Sequence, residues 1–376
     1  MKQFNCYKQK LFFYLSIAAS LLLIISCRGS SKLDNSHLSN VPVDVYVGGY
    51  SYSSQSVACY WKNGEMVPLS TKYWKNDEKK PRDSTERSRV NSIAVIDGDI
   101  YAGGYYIKYD FSLEIQAYGT AEYEVRVACY WKNGKLVSLT YSKYGSEVNS
   151  IFICGNDVYA GGFINNRKAK IGGYWKNGKW VGLSNAKNSS MVNSIFVSGD
   201  DVYACGNSGG PCYWKNGKWI ALPYLDEKKK TFANSIFVSG NDIYICGYAR
   251  EDFGIYVAGY WKNGEIIPLL PFAPNYNPNA VSIFVSGNDV YVGGYCYNSR
   301  FPTVAGYWKN GKWIALTPID NKERSQVASI FVFGNDVYAG GYSGDIPGYW
   351  KNGEWVGFNA KGGVLPVSSI VVVPRP

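Results

Sequence analysis

VSIFVSGNDVYVGGYCYNSRFPTVAGYWKNGKWIAL, from Val281 to Leu316, is the stretch that decides the fold. Ser282 to Val285 and Asp289 to Tyr295 are rich in β-branched and aromatic residues and are separated by Gly287-Asn288. After a polar loop, Val304 to Trp308 and Lys312 to Leu316 flank Lys309-Asn310-Gly311. Asn-Gly between β-rich runs is a strong short hairpin signal, because both central residues of a type I′ turn need positive φ. The stretch therefore predicts four antiparallel strands in an up-and-down meander.

The same unit recurs along the chain, and such repetition takes priority over local propensity. Tyr-Trp-Lys-Asn-Gly occurs with its Trp at 61, 131, 175, 214, 261, 308 and 350. Asp-(Val/Ile)-Tyr begins at Asp44, Asp99, Asp157, Asp201, Asp242, Asp289 and Asp336. A Ser-Ile-apolar phrase begins at Ser92, Ser150, Ser194, Ser235, Ser282, Ser329 and Ser369. Three phrases with seven copies each predict an all-β, seven-bladed β-propeller with four antiparallel strands per blade. The chain opens on a second strand, Asp44 to Tyr50, and closes on a lone first strand, Val367 to Val372. The C-terminal strand is therefore expected to complete the N-terminal blade and leave the ring without an open edge. Insertions at Thr71 to Arg89 and Tyr106 to Glu124 stretch the second unit.

The N-terminus has a different composition. Lys2, Lys8 and Lys10 precede an apolar run, Leu11 to Ile25, that is short for a membrane span. Ile24-Ile25-Ser26-Cys27 resembles the lipobox of bacterial lipoproteins. That resemblance implies a signal peptide over 1–26, acylation of Cys27, and attachment to a bilayer in the bacterial cell envelope, periplasmic or surface-exposed. The small polar residues Arg28 to Asn40 suit a flexible tether reaching roughly 45 Å. The expected organisation is thus a signal peptide (1–26), a lipidated tether (27–42) and a single propeller domain (43–376).

Val290-Tyr291-Val292-Gly293-Gly294-Tyr295 followed by Trp308 or Trp313 resembles the unit of kelch-type propellers. The chain is also similar to the Tyr-Trp-Lys-Asn-Gly repeat lipoproteins of spirochaetes and Bacteroidetes. Cys205-Gly206 and Cys246-Gly247 depart from the kelch Gly-Gly pair.

The formal charge of +10 is mild for 376 residues, and many lysines recur at one turn, so nucleic acid is not an expected partner. His37 is the only histidine and lies in the tether, which leaves His-dependent triads, His-rich zinc sites and the copper site of kelch-fold oxidases unsupported. Sialidase-type Asp-boxes do not appear, and no metal, cofactor or catalytic residue is assigned. Cysteines at small-residue positions read as packing. Cys205 and Cys212 flank one short loop and are the candidate disulfide, with two buried thiols as the alternative. The repeated first-strand Ser, with Asn91, Asn149, Asn193 and Asn234, predicts a polar ring that hydrogen-bonds neighbouring blades. The repeated lysines predict solvated turns.

Propeller connectivity puts the tight turns on one face and all the varied loops on the other, where function on a rigid scaffold collects. These loops are rich in Tyr and Arg, which carry interface energy and stack on sugar rings. The candidates are Tyr105, Tyr106, Tyr109, Tyr141, Tyr144, Arg250, Tyr276, Tyr297 and Arg300. The leading expectation is a binding module for a protein or glycan, not an enzyme. The alternatives are a structural subunit of an envelope assembly and a carboxylate- or Tyr-dependent carbohydrate-active enzyme.

Overall fold

In a computed structural model, the described residues are 41–52, 56–69, 87–110, 114–115, 119–120, 123–139, 142–183, 189–250, 256–320, 323–358 and 366–375. They form seven four-stranded antiparallel sheets and one two-stranded ribbon. The repeat unit read above becomes blade six: Asn277–Ser286 innermost, then Asp289–Tyr297, Val304–Lys309 and, outermost, Lys312–Ala315. Blade two starts at Ser88–Ile96, blade three at Ser146–Cys154, blade four at Ser190–Ser198, blade five at Lys230–Ser239 and blade seven at Ser325–Phe333. Blade one is built from both ends of the chain, with Val367–Pro374 pairing against Val43–Tyr52 as its innermost strand. Among the described residues no helix is long and apolar enough to cross a membrane. The signal peptide, Cys27, the tether and most of the first insertion lie outside the described residues.

The hairpin chemistry accounts for two of the repeated phrases. In blade six Asn310 and Gly311 take φ 51° and 82°, as a type I′ turn requires. The Asn310 side-chain oxygen accepts from the Val290 amide at 2.8 Å, and its Nδ2 donates to Asp289 at 2.8 Å. Lys309 reaches the other Asp289 oxygen at 2.8 Å and lies 5.2 Å from the Tyr291 ring centre. Hydrogen bonds from Lys309 and Asn310 hold Asp289 below the usual carboxylate range. The Asp-Lys pair recurs in all seven blades, so the lysines expected to be simply solvated are ion-paired clasps that tie the third strand to the second.

The third phrase joins the blades. Register slips by one residue in each of the six internal innermost strands, as between Val90 and Ser92, so Asn91 is a β-bulge aimed at the next blade. Asn91 donates to Val148 O at 2.8 Å, Asn149 to Val192 O at 2.7 Å, Asn193 to Ala233 O and Asn234 to Ala280 O, both at 2.8 Å. One residue on, Ser92 accepts from the Ile151 amide at 3.1 Å, and Ser369 accepts from Ile93 at 3.2 Å across the closure. The polar ring is thus spent on inter-blade bonds, as expected. A second series sits deeper: Ser88, Ser146, Ser190 and Ser325, all buried, accept from Ala58, Ala128, Gly172 and Ala305 of the preceding blade. Blade five breaks this series because the corresponding third-strand residue, Pro211, has no N–H, and Thr231 Oγ1 is left without a partner.

Each blade packs one fully buried Trp against the preceding blade, Trp308 among Val292, Leu269 and Ile283 for example. Gly306 makes room for a second one: a Cβ there would collide with Trp313, whose ring centre lies 4.5 Å from that of Trp308. Gly173 with Trp180 and Gly348 with Trp355 repeat the arrangement. In blade four Cys212 fills that space, and Trp219 is turned out to 42% exposure.

The expected Cys205–Cys212 bond is corrected by the register. Cys205 pairs with Tyr213, whereas Cys212 pairs with Gly206, so the two thiols point to opposite faces of the sheet. Both are free and buried, in different core clusters, and burial pushes the Cys212 thiol up to about 12.

An ion-pair clasp covers the closure. Arg375 Nε donates to Asp44 Oδ1 at 2.9 Å, and Lys62 lies 3.0 Å from the other oxygen of the same buried carboxylate. Burial would raise the Asp44 pKa, but hydrogen bonds from Asn63, Lys62 and Arg375 outweigh it and hold it below the usual range. A depressed folded-state pKa adds stability that is present above the unfolded value and is lost as pH falls through the folded one. Asp44→Asn should therefore lower the melting temperature at pH 7, and the gap to the parent should shrink as pH falls below about 4. Parallel melts across that range check it.

Candidate functional site

Second strands run toward the loop face, so the residue after each Gly-Gly pair stands on the loop side of its blade, opposite the start of the innermost strand. Those residues are Tyr50, Tyr105, Phe163, Asn207, Tyr248, Tyr295 and Tyr342, six of them aromatic. Further toward the turn face, neighbouring innermost strands bring Phe152, Phe196, Phe237, Phe284 and Phe331 into a chain of ring contacts 4.8–5.0 Å apart. Ala94 and Val371 occupy the same position in blades two and one. From loop face to turn face the inner wall is therefore aromatic and arginine-bearing, then polar and bonded between blades, then apolar.

The charged part lies where blades one, two and three meet. Tyr105 is 6% exposed, and the Arg126 guanidinium lies 4.7 Å from its ring centre. Arg126 donates to Glu147 Oε2 at 2.8 Å, while Asn91 donates to Oε1 at 3.0 Å. Both Glu147 oxygens are thus engaged. Arg89 stacks 4.2 Å from the centre of the Tyr50 ring. Burial raises the Tyr105 pKa, and the nearby Arg126 and Arg89 pull it back only in part, so the phenol keeps its proton at neutral pH. Burial opposes the Arg126 charge, but Glu147 and Tyr105 outweigh it.

A second group lies on blades five and six. Arg250, exposed, sits 5.5 Å from the Phe232 ring centre, and Phe232 stacks on Tyr248 at 5.2 Å. Tyr248 in turn meets Tyr256 at 5.6 Å. Tyr295 accepts from Asn279 at 3.0 Å, and its phenol is pushed up to about 12, by burial first and then by Tyr248, Tyr256 and Tyr342. A third group is the pair Phe272 and Tyr276, 4.4 Å apart, with exposed Tyr297, Arg300 and Phe301 on the loop following.

Of the sequence candidates, Tyr105, Arg250 and Tyr276 each anchor one of these groups. Tyr106 alternates to the other side of its strand and bonds Ser138 at 3.2 Å. Tyr144 is half-buried beneath Lys143. Arg300 donates its amide to the Asn298 side chain at 2.7 Å in a local turn. Tyr109 lies in a strand opposite Glu124, and Tyr141 lies outside the described residues. Sequence reasoning reached Arg89, Arg126, Tyr248 and Tyr295 only as the ends of varied loops, and it did not reach Tyr50 or Glu147. Aligning the repeats on Gly-Gly and reading the next residue would have exposed the aromatic series. The arginine pairings cross between blades and leave no such signal. No group of His, Cys, Asp and Glu that could hold a metal occurs among the described residues.

No family model matches the chain, and no curated protein matches it. Among solved structures, an ulvan lyase, a polysaccharide lyase, bound to -[GlcA(1-4)Rha3S]- aligns with 12% identity and a TM-score of 0.48 over 91% of this chain and 94% of its own. The same type of lyase without that ligand aligns with 13% identity and a TM-score of 0.49 over the same shares of the two chains. The Pseudomonas aeruginosa periplasmic gluconolactonase aligns with 9% identity and a TM-score of 0.44 over 89% of this chain and 99% of its own. At such identities and scores no substrate and no site residue transfers. These structures are lyase and lactonase propellers, not kelch proteins, so what stands of the kelch resemblance is the architecture. The non-enzyme expectation is likewise corrected: the propellers found beside this one are enzymes, and a ring of this build gives no ground for excluding catalysis. The chain is a seven-bladed, four-stranded β-propeller closed by its own C-terminal strand.

Proposed function

We propose that this propeller is carbohydrate-active and takes a saccharide chain at the loop-side mouth of its channel. The aromatic residue that follows Gly-Gly in five blades and Cys246-Gly247 in a sixth supports this reading most directly. Aromatic faces stack on the C–H faces of sugar rings, and tyrosine adds a hydroxyl that bonds sugar hydroxyls. Tyr105 and Tyr295 keep their protons at neutral pH, so each would act as a hydrogen-bond donor or general acid, not as a base. Glu147, bonded at both oxygens, serves as the positioning partner of Arg126.

The test is incubation of the full chain with a panel of neutral, uronate-containing and sulfated polysaccharides, following both retention in affinity gels and the appearance of new chain ends. On a substrate that is cleaved, Tyr105→Phe should lower kcat by about 10²-fold with a smaller change in KM. Retention without cleavage would remove catalysis and leave binding. Neither retention nor cleavage across the panel would sink the proposal.

The body would stand at an envelope membrane through acylated Cys27. Cys27→Ala should move the protein from the membrane to the soluble fraction, and continued detergent dependence would argue against acylation there.

A further inference from the structure

We infer that Arg89 is an anion receptor, and that the saccharide taken at this mouth carries a carboxylate or sulfate at the ring seated between blades one and two. The inference rests on the saccharide reading above and names the substrate class.

The position that starts each inner strand opposite the post-Gly-Gly residue holds Arg89, Glu147, Met191, Phe232, Asn279 and Gln326 in blades two to seven. Only blade two places a cation there. The neighbouring arginines are already matched, Arg126 to Glu147 and Arg87 to Glu124. Arg89 differs. Its guanidinium lies over Tyr50, 4.2 Å from the ring centre, and no carboxylate among the described residues pairs with it; its Nε, like that of Arg87, is buried without a hydrogen-bond partner. An arginine donor taken out of water and left unpaired is costly. A guanidinium over an aromatic ring can offer its planar N–H fork to a carboxylate or sulfate, the pairing in which Arg outperforms Lys. With Arg126 opposed by Glu147 and Arg87 by Glu124, the unmatched charge among the described residues of this junction is that of Arg89.

Tyr50 lies beneath the guanidinium and Tyr105 is the cross-strand partner of Arg89, so an anionic group carried on a sugar ring would meet aromatic surface there. That geometry distinguishes it from the clasp lysines on the opposite face, each of which is already matched by an Asp.

The experiment uses the full chain and three probes: dextran, dextran sulfate and polygalacturonate. Dissociation constants are measured near physiological ionic strength, where the Debye length is about 8 Å and diffuse attraction to the basic chain is damped. Arg89→Gln, Arg89→Lys and the exposed control Lys179→Gln are compared, with melting curves confirming that each variant is folded. The expected result is that one or both polyanions bind at least about tenfold more tightly than dextran. Arg89→Gln should remove about that factor, Arg89→Lys should recover it in part, and Lys179→Gln should leave it intact. Preference for dextran sulfate assigns sulfate, and preference for polygalacturonate assigns carboxylate. Equal binding of dextran and the polyanions, or a polyanion affinity that Arg89→Gln leaves unchanged, overturns the inference while the saccharide reading stands. Failure of all three probes to bind overturns both.

Discussion

Removal of residues 367–376 should abolish the cooperative thermal transition of the parent or lower it by more than 10 °C, and should convert a monodisperse protein into one that self-associates. The strand carries Val367, Ile370 and Val372, all buried, into the cluster that contains Trp61 and Phe358. At about 1.5–3 kcal/mol for each fully buried aliphatic side chain, its loss approaches the whole stability of an ordinary domain. It also removes Ser369 and Ser368, whose side chains bond blade two at 3.2 Å and 2.7 Å, and Arg375, which clasps Asp44. The strand Val43–Tyr52 would then present a free edge of unpaired amides and carbonyls, a template for another chain. Circular dichroism melts and size-exclusion chromatography of the truncated protein check both parts. A truncated ring that melts like the parent would show that closure contributes little.

Trp308→Ala should cost about 3–5 kcal/mol, the range for emptying a large aromatic from a packed core. Trp308 is fully buried between blades five and six, meets Trp313 edge to face and donates Nε1 to Leu270 O at 2.8 Å. The cavity cannot collapse easily, because the Gly306 backbone and the Trp313 ring already sit in close contact. Trp219→Ala is the internal comparison. Trp219 is 42% exposed because Cys212 takes the place it would otherwise fill, and its removal should cost about 1 kcal/mol or less. Urea titrations of the two variants against the parent give both values, and similar losses would refute the packing account.

Architecture was legible in the sequence because propeller blades repeat the devices that make them. Asn310-Gly311 fixes a turn by its φ angles, Trp308 fills a blade interface, and the displaced first strand at Val367 marks the closure; each is readable one unit at a time. What connects units was not. The bulge at Asn91 moves a side chain onto the next blade, and only the paired strands reveal the one-residue slip. The same blindness to register produced the Cys205–Cys212 expectation: proximity across a short loop does not say which face a side chain takes. The candidate site was legible in kind but not in place. Tyr105, Arg250 and Tyr276 anchor aromatic groups on the varied face, whereas Arg89 meets Tyr50 and Arg126 meets Glu147 only because blades one, two and three are neighbours in the ring.

Hydrogen exchange of the full chain with and without a saturating saccharide from the panel tests the central claim most directly. Slowed exchange in Arg87 to Val90 and Tyr248 to Arg250, with the Lys-Asn-Gly hairpins of the opposite face unchanged, is the predicted result. Protection confined to those hairpins, or to the outer strands, with the loop-side mouth unaffected, would contradict it.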